Sequence, residues 1–125
     1  MSQRKFTQDR DLSAVTFVVL DLETSGASPQ SGSAITEIGA VKVCGGVVLG
    51  TFETFINPGT PISQFITELT GITDQMLTSA PSIDTVLPIL IEFIGSPNET
   101  VFVAHNASFD LSFLKAASND YGYLW

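Results

Sequence analysis

A chain of 125 residues that is 44% hydrophobic supplies one domain with a real core and is too short for two. No apolar run approaches the roughly 20 residues of a membrane span, the polar start MSQRKFTQDRDLSA has no apolar signal centre, and the single Cys44 excludes an internal disulfide, which together favour the cytoplasm. The net charge of −8, thirteen acids against five bases, argues against a basic nucleic-acid clamp. It leaves a nuclease open, because carboxylates that hold divalent cations present a positive site to phosphate even on an acidic protein; it equally serves plain solubility.

Residues 1–14 hold three of the five bases and little apolar content, and read as a mobile arm. Thr16 to Leu20 (TFVVL) is a nearly continuous apolar run, as in a buried central strand, with Asp21 and Glu23 at its end. Thr24 to Ser33 is rich in Gly, Ser and Pro and reads as a loop. Ile35 to Val43 alternates as a strand, Gly45-Gly46 signals a hairpin, and Val47 to Ile56 returns as a third strand closed by Asn57-Pro58-Gly59. Ile62 to Leu69 reads as a short helix stopped by Gly71, and Thr73 caps a turn running to Leu77. Ser82 is placed to cap a helix to about Ile94 with Gly95 as its stop; Pro88 inside it leaves a kink or a later start open. Thr100 to Ala104 reads as a fourth strand, and Phe109, Phe113 and Leu114 follow helical spacing to about Ser118. Three antiparallel strands, helices, a fourth strand and a helix make an α/β layer fold with a mixed sheet.

Two places carry chemistry. In Asp21-Leu22-Glu23, residues two apart on an extended chain face the same side, so two carboxylates converge while Leu22 turns into the core. Like charges at the end of an apolar strand repel and lose hydration, which a divalent cation with a taste for oxygen ligands relieves. The pattern is short, and by itself also describes a solvated pair at a strand end. The second place is His105-Asn106-Ala107-Ser108-Phe109-Asp110, where the fourth strand stops. Asn106 is a candidate N-cap, and Asp110 lies one turn later on the same face. A carboxylate there also simply complements the helix dipole, and Phe109 also reads as a core residue.

The segments VVLDLETSG, ITEIGAVKV, ELTGIT and VFVAHNASFDLSFL, in this order and spacing, resemble the DEDD (DnaQ-like) 3′–5′ exonucleases, most of all the epsilon proofreading subunit of bacterial DNA polymerase III and fused domains like it. The resemblance covers about residues 15–124. It implies a ribonuclease-H-like sheet of three antiparallel strands plus a parallel fourth, with flanking helices, and hydrolysis of the terminal phosphodiester at a 3′ end. It implies two ions, Mg²⁺ or Mn²⁺, one lowering the pKa of the attacking water and one stabilising the leaving oxygen. Asp21 would bridge both, Glu23 would bind one, and Asp110 would hold the other. Thr24, Ser25 and Gly26 would pass close to the terminal nucleotide, with Thr70 near its base or sugar and His105 and Asn106 also toward the substrate. Phe65 falls where relatives often have glutamate, so that contact is not carried over.

The family also needs a fourth carboxylate and a nearby general base, His or Tyr, from a third motif downstream. His105 belongs to the second motif, Asp120 is the sole acid after Asp110, and nothing around it matches. The expectation is therefore an exonuclease domain over 15–125 that lacks its C-terminal third motif, inactive alone, and prone to self-association through apolar surface the missing helices would cover. The partners implied are a DNA 3′ end and either polymerase III subunits or a fused nuclease or helicase domain. An RNA-trimming enzyme of the same family and a noncatalytic scaffold are the alternatives, and clustered carboxylates speak against the scaffold.

Overall fold

The computed structural model describes residues 11–96 and 100–120. Of the expected arm, residues 1–10 lie outside that range, as does the tail 121–125, while Leu12–Ala14 form one 3₁₀ turn. Strand β1 (Thr16–Thr24) pairs antiparallel with β2 (Ile35–Cys44), and β2 pairs antiparallel with β3 (Val47–Phe55). Helices α1 (Gln64–Thr70), α2 (Asp74–Thr78) and α3 (Ile83–Ile94) follow. Strand β4 (Thr100–Val103) then adds parallel to β1, and α4 (Ala107–Asp120) ends the described chain. The sheet order is β3-β2-β1-β4, the mixed sheet that the order of elements implies.

Local chemistry explains the connections. Gly45 and Gly46 both take positive φ, 59° and 79°, as a two-residue hairpin turn with the twist of its strands requires. The Ser63 hydroxyl accepts the Ile66 N–H at the start of α1, and Gly71 (φ 80°) ends it by donating its N–H to the Thr67 carbonyl. Thr73 caps α2 as expected, accepting from the Met76 N–H. Ser82 does not cap α3 with its side chain: the hydroxyl is drawn to the Asp84 carboxylate, and the Ser82 carbonyl begins the helix instead. Nor does Pro88 delay the start. The helix runs unbroken through it, with the ring on the exposed side.

Strand parity sorts the sheet into two unlike faces. On one, Val18, Leu20 and Leu22 of β1 meet Ile38 and Ala40 of β2, with Val86, Leu90 and Ile94 of α3 and Phe113 and Leu114 of α4 closing over them. The Phe52 and Phe93 rings lie 5.6 Å apart at the edge of this core. On the opposite face stand Val19, Asp21 and Glu23 of β1, with Glu37 of β2 in register with Glu23 and Phe55 of β3 in register with Glu37. Phe55 anchors a second, smaller cluster of Ile62, Ile66, Ile72 and Leu77. Helices α1 and α2 are thereby fastened beside the acidic end of the sheet.

One buried group breaks the pattern. Thr36 is fully buried and, among the described residues, its Oγ1 is the one buried side-chain polar atom with no hydrogen-bond partner. An unpaired buried hydroxyl costs about 1–3 kcal/mol. Replacing it with the isosteric Thr36→Val is therefore expected to raise stability by roughly 1 kcal/mol in chemical denaturation, whereas Ile38→Ala, in the same strand, is expected to lose about 2–5 kcal/mol. A destabilised valine variant would mean the hydroxyl has a partner after all.

Candidate metal and active site

The site grows out of β1. Its core-facing residues lock the strand, and alternation obliges Asp21 and Glu23 to share the other side. Asp21 is exposed and Glu23 half-buried. Asp110 arrives from the first turn of α4, where its N–H donates to the Asn106 carbonyl at 3.1 Å, and it is only 6% exposed. Parallel pairing of β4 with β1 brings the start of α4 to the end of β1 that carries the acids.

The electrostatics bind these groups together. Burial, then the charge of Asp21, holds the Glu23 carboxyl above its ordinary value. Burial raises Asp110 too, followed by Asp21, while His105 pulls it partly back. Asp110 therefore senses Asp21 across the gap between helix and strand. Glu37 joins them: burial raises it first, then Glu53, Glu23 and Asp21. Sequence reasoning missed Glu37, although the alternation of ITEIGAVKV had placed it in a strand. Its face became known only once the register set it opposite Glu23.

Donor chemistry here fits a hard divalent cation, since Glu23, Glu37 and Asp110 are each partly desolvated and repelled by neighbouring acids. As the side chains lie, no three His, Cys, Asp or Glu among the described residues form a compact ligand group. A cleft of about 500 Å³, lined by residues including Gln30, Ser33, Ile56, Asn57 and Phe113, contains none of Asp21, Glu23 or Asp110. Asp21 and Glu23 stand on the open face of the sheet, and Asp110 is buried at the start of α4.

The remaining expected site residues divide. The Thr24 hydroxyl donates to the Gly26 carbonyl at 2.8 Å, and Ser25 Oγ accepts the Ala34 N–H at 2.9 Å. Both side chains thus serve the loop. The Thr70 hydroxyl donates to the Ile66 carbonyl and accepts the Ile72 N–H, finishing α1. His105 and Asn106 are exposed at the β4–α4 junction beside Asp110. Phe65 is 69% exposed on α1.

A family model described as Exonuclease matches residues 18–124, and the chain belongs to that exonuclease family. It is 50% identical over 122 residues to a Mycobacterium tuberculosis (strain CDC 1551 / Oshkosh) protein named, provisionally, a bifunctional exonuclease/endonuclease, spanning 94% of this chain and 18% of that protein. It is likewise 50% identical over 106 residues to the PolC-type DNA polymerase III of Caldanaerobacter subterraneus subsp. tengcongensis, spanning 85% of this chain and 7% of the polymerase. The chain thus spans less than a fifth of these relatives. Among solved structures, exonuclease X in complex with 5′-overhanging duplex DNA matches at 32% identity and a TM-score of 0.63, covering 78% of this chain and 52% of that one. The nuclease domain of 3′hExo, a DEDDh family member bound to rAMP, shares the fold at 20% identity and a TM-score of 0.74, covering 92% and 64%. Exonucleases of this family generally use divalent metal ions.

Raised carboxyl pKa values set the sign of a pH effect. Glu23, Glu37 and Asp110 hold protons more tightly folded than unfolded, so their contribution to stability is full below the ordinary carboxylate range of about pH 4 and is lost as pH rises through their folded values. Tm is expected to fall over that rise, less steeply in Glu37→Gln. Millimolar Mn²⁺ is expected to restore it at neutral pH, not at acid pH, and not in Asp21→Asn. A Mn²⁺ response unchanged by Asp21→Asn would remove these acids from the metal site.

Proposed function

We propose that the domain is a 3′–5′ exonuclease acting on DNA in proofreading or repair, with Asp21, Glu23 and Asp110 holding two divalent ions, Mg²⁺ or Mn²⁺. The observation that carries this reading is that parallel pairing of β4 with β1 brings the first turn of α4, and Asp110 with it, to the end of the sheet where Asp21 and Glu23 share a face. Similarity at 50% identity to a PolC-type DNA polymerase III, and at 32% to exonuclease X solved with DNA, supports DNA as the substrate and a polymerase or a fused nuclease as the setting.

In this reading each residue has a stated task. Ions bound at the carboxylates supply a more acidic water and a counter-charge for the departing 3′ oxygen. Asp21, at the exposed centre of the face, ligates from β1. Glu23 ligates beside it, with Glu37 behind it keeping the local potential negative and the affinity for cations high. Asp110 closes the group from α4. Its partial burial keeps bulk water away, which strengthens every charge interaction within. His105, exposed next to Asp110, lies where it can meet the substrate's phosphate.

The test is digestion of a 3′-labelled single-stranded oligonucleotide by the full-length protein. Nucleotides are expected to leave one at a time from the 3′ end, faster from DNA than from RNA. Asp21→Asn or Asp110→Asn is expected to lower kcat at least about 100-fold, because metal stabilisation of the transition state is worth several kcal/mol. Full activity in either variant would defeat the reading, and faster digestion of RNA would shift it to the RNA-trimming alternative.

On the same face, Val19 and Val103 are 43% and 41% exposed beside the carboxylates. This supports the expected self-association of the 125-residue chain, since apolar strand centres favour being covered. Light scattering is expected to show particles above monomer mass that shrink in Val19→Ser; a monodisperse monomer in both would refute it.

A further inference from the structure

The loop from Ser25 to Ala34 leaves the acidic end of β1 and returns with its ends clasped. The Ser25 N–H donates to the Ala34 carbonyl at 2.8 Å, and the Ser25 hydroxyl accepts the Ala34 N–H at 2.9 Å. Within the clasp, Gly26 faces Ser33. A Cβ added to Gly26 would overlap the Ser33 hydroxyl oxygen and stand 3.2 Å from the Ser33 Cβ, tighter than side chains normally pack. Ser33 is itself fixed from behind. Its N–H donates to the Ser28 carbonyl at 3.2 Å, and its hydroxyl lies 3.5 Å from that of Ser31. From Gly26 the geometry passes to the acids: the Gly26 carbonyl accepts the hydroxyl of Thr24, the residue after Glu23, at the irregularity in the β1–β2 register.

We propose that Ser33 is a positioning residue of the nuclease site: packed on the bare Cα of Gly26, it sets where the Thr24–Gly26 backbone stands beside Glu23, and so how a 3′-terminal nucleotide is seated. The inference rests on the exonuclease reading above. Its physical basis is that the hydroxyls of Thr24 and Ser25 are both engaged inside the loop. What the segment has left to offer a substrate is its backbone and the O–H donor of Ser25, whose place that backbone sets. A backbone has no rotamers with which to correct a misplacement, so its position is decided by what it packs against. Gly26 is needed at this point for close approach, and Ser33 is the body approached.

The experiment uses the full-length protein, a 3′-labelled single-stranded DNA oligonucleotide and Mg²⁺, with Asp21→Asn as the control for the chemistry. Gly26→Ala forces the two limbs apart and is expected to raise KM about 5- to 20-fold with kcat within about 3-fold of the parent, the mark of lost substrate seating. Gly26→Ala/Ser33→Gly, which empties the space the new methyl needs, is expected to bring KM back to within about 3-fold of the parent. Ser25→Ala removes the acceptor of the Ala34 N–H without adding bulk and is expected to raise KM in the same direction, with its fold verified by circular dichroism. If Asp21→Asn abolishes digestion but Gly26→Ala keeps the parental KM, or the double variant is no better than the single, the exonuclease reading stands and the role of Ser33 is overturned. If the parent shows no Asp21-dependent digestion from the 3′ end, both fall.

Discussion

The period of two along β1 is the constraint on which the rest depends. Val18, Leu20 and Leu22 are driven into the core between the sheet and helices α3 and α4. That burial is worth on the order of 1.5–3 kcal/mol per aliphatic side chain, and a slip of one residue would exchange it for buried carboxylates. Asp21 and Glu23 are held on the opposite face by the energy of three apolar neighbours. Glu23 is presented there partly desolvated, which its own chemistry disfavours, and the burial of its apolar neighbours offsets that cost.

Around that strand, the fold recruits acids from elsewhere through pairing. Parallel addition of β4 delivers the first turn of α4, and with it Asp110, to the same end as Glu23. Antiparallel β2 delivers Glu37 to the position opposite Glu23. Each arrival meets acids already there: burial first, and then Asp21 among the neighbouring carboxylates, raises the tendency of Glu37 and Asp110 to hold a proton. Membership of the exonuclease family accords with acids gathered at one end of the two central strands and the helix that follows β4.

The loops show a second economy, that of hydroxyl groups. Thr24, Ser25, Ser63, Thr70 and Thr73 each spend their side-chain oxygen on a backbone group close in sequence, closing a loop, starting a helix or ending one. Residues whose types suggest substrate contact are thus first of all structural.

The sequence by itself determined every strand and helix to within a few residues, because apolar periodicity, the Gly45-Gly46 turn and the Gly71 and Gly95 stops are local signals. It also determined that Asp21 and Glu23 face together, since parity is a property of one strand. Where it fell short, competition between groups in space decided: the Ser82 hydroxyl went to Asp84 rather than to the helix N–H groups. The helix read from Ser82 to Ile94 does run through Pro88, its buried residues Val86, Leu87 and Leu90 lying on both sides of the ring. Tertiary structure alone decided that Glu37 belongs with the acids, that Gly26 rests on Ser33, and that Asp110 senses Asp21. The first and last are meetings of residues distant along the chain, fixed by strand register and helix docking, and the second is set by how one loop is clasped at its ends; no apolar or turn pattern carries that information.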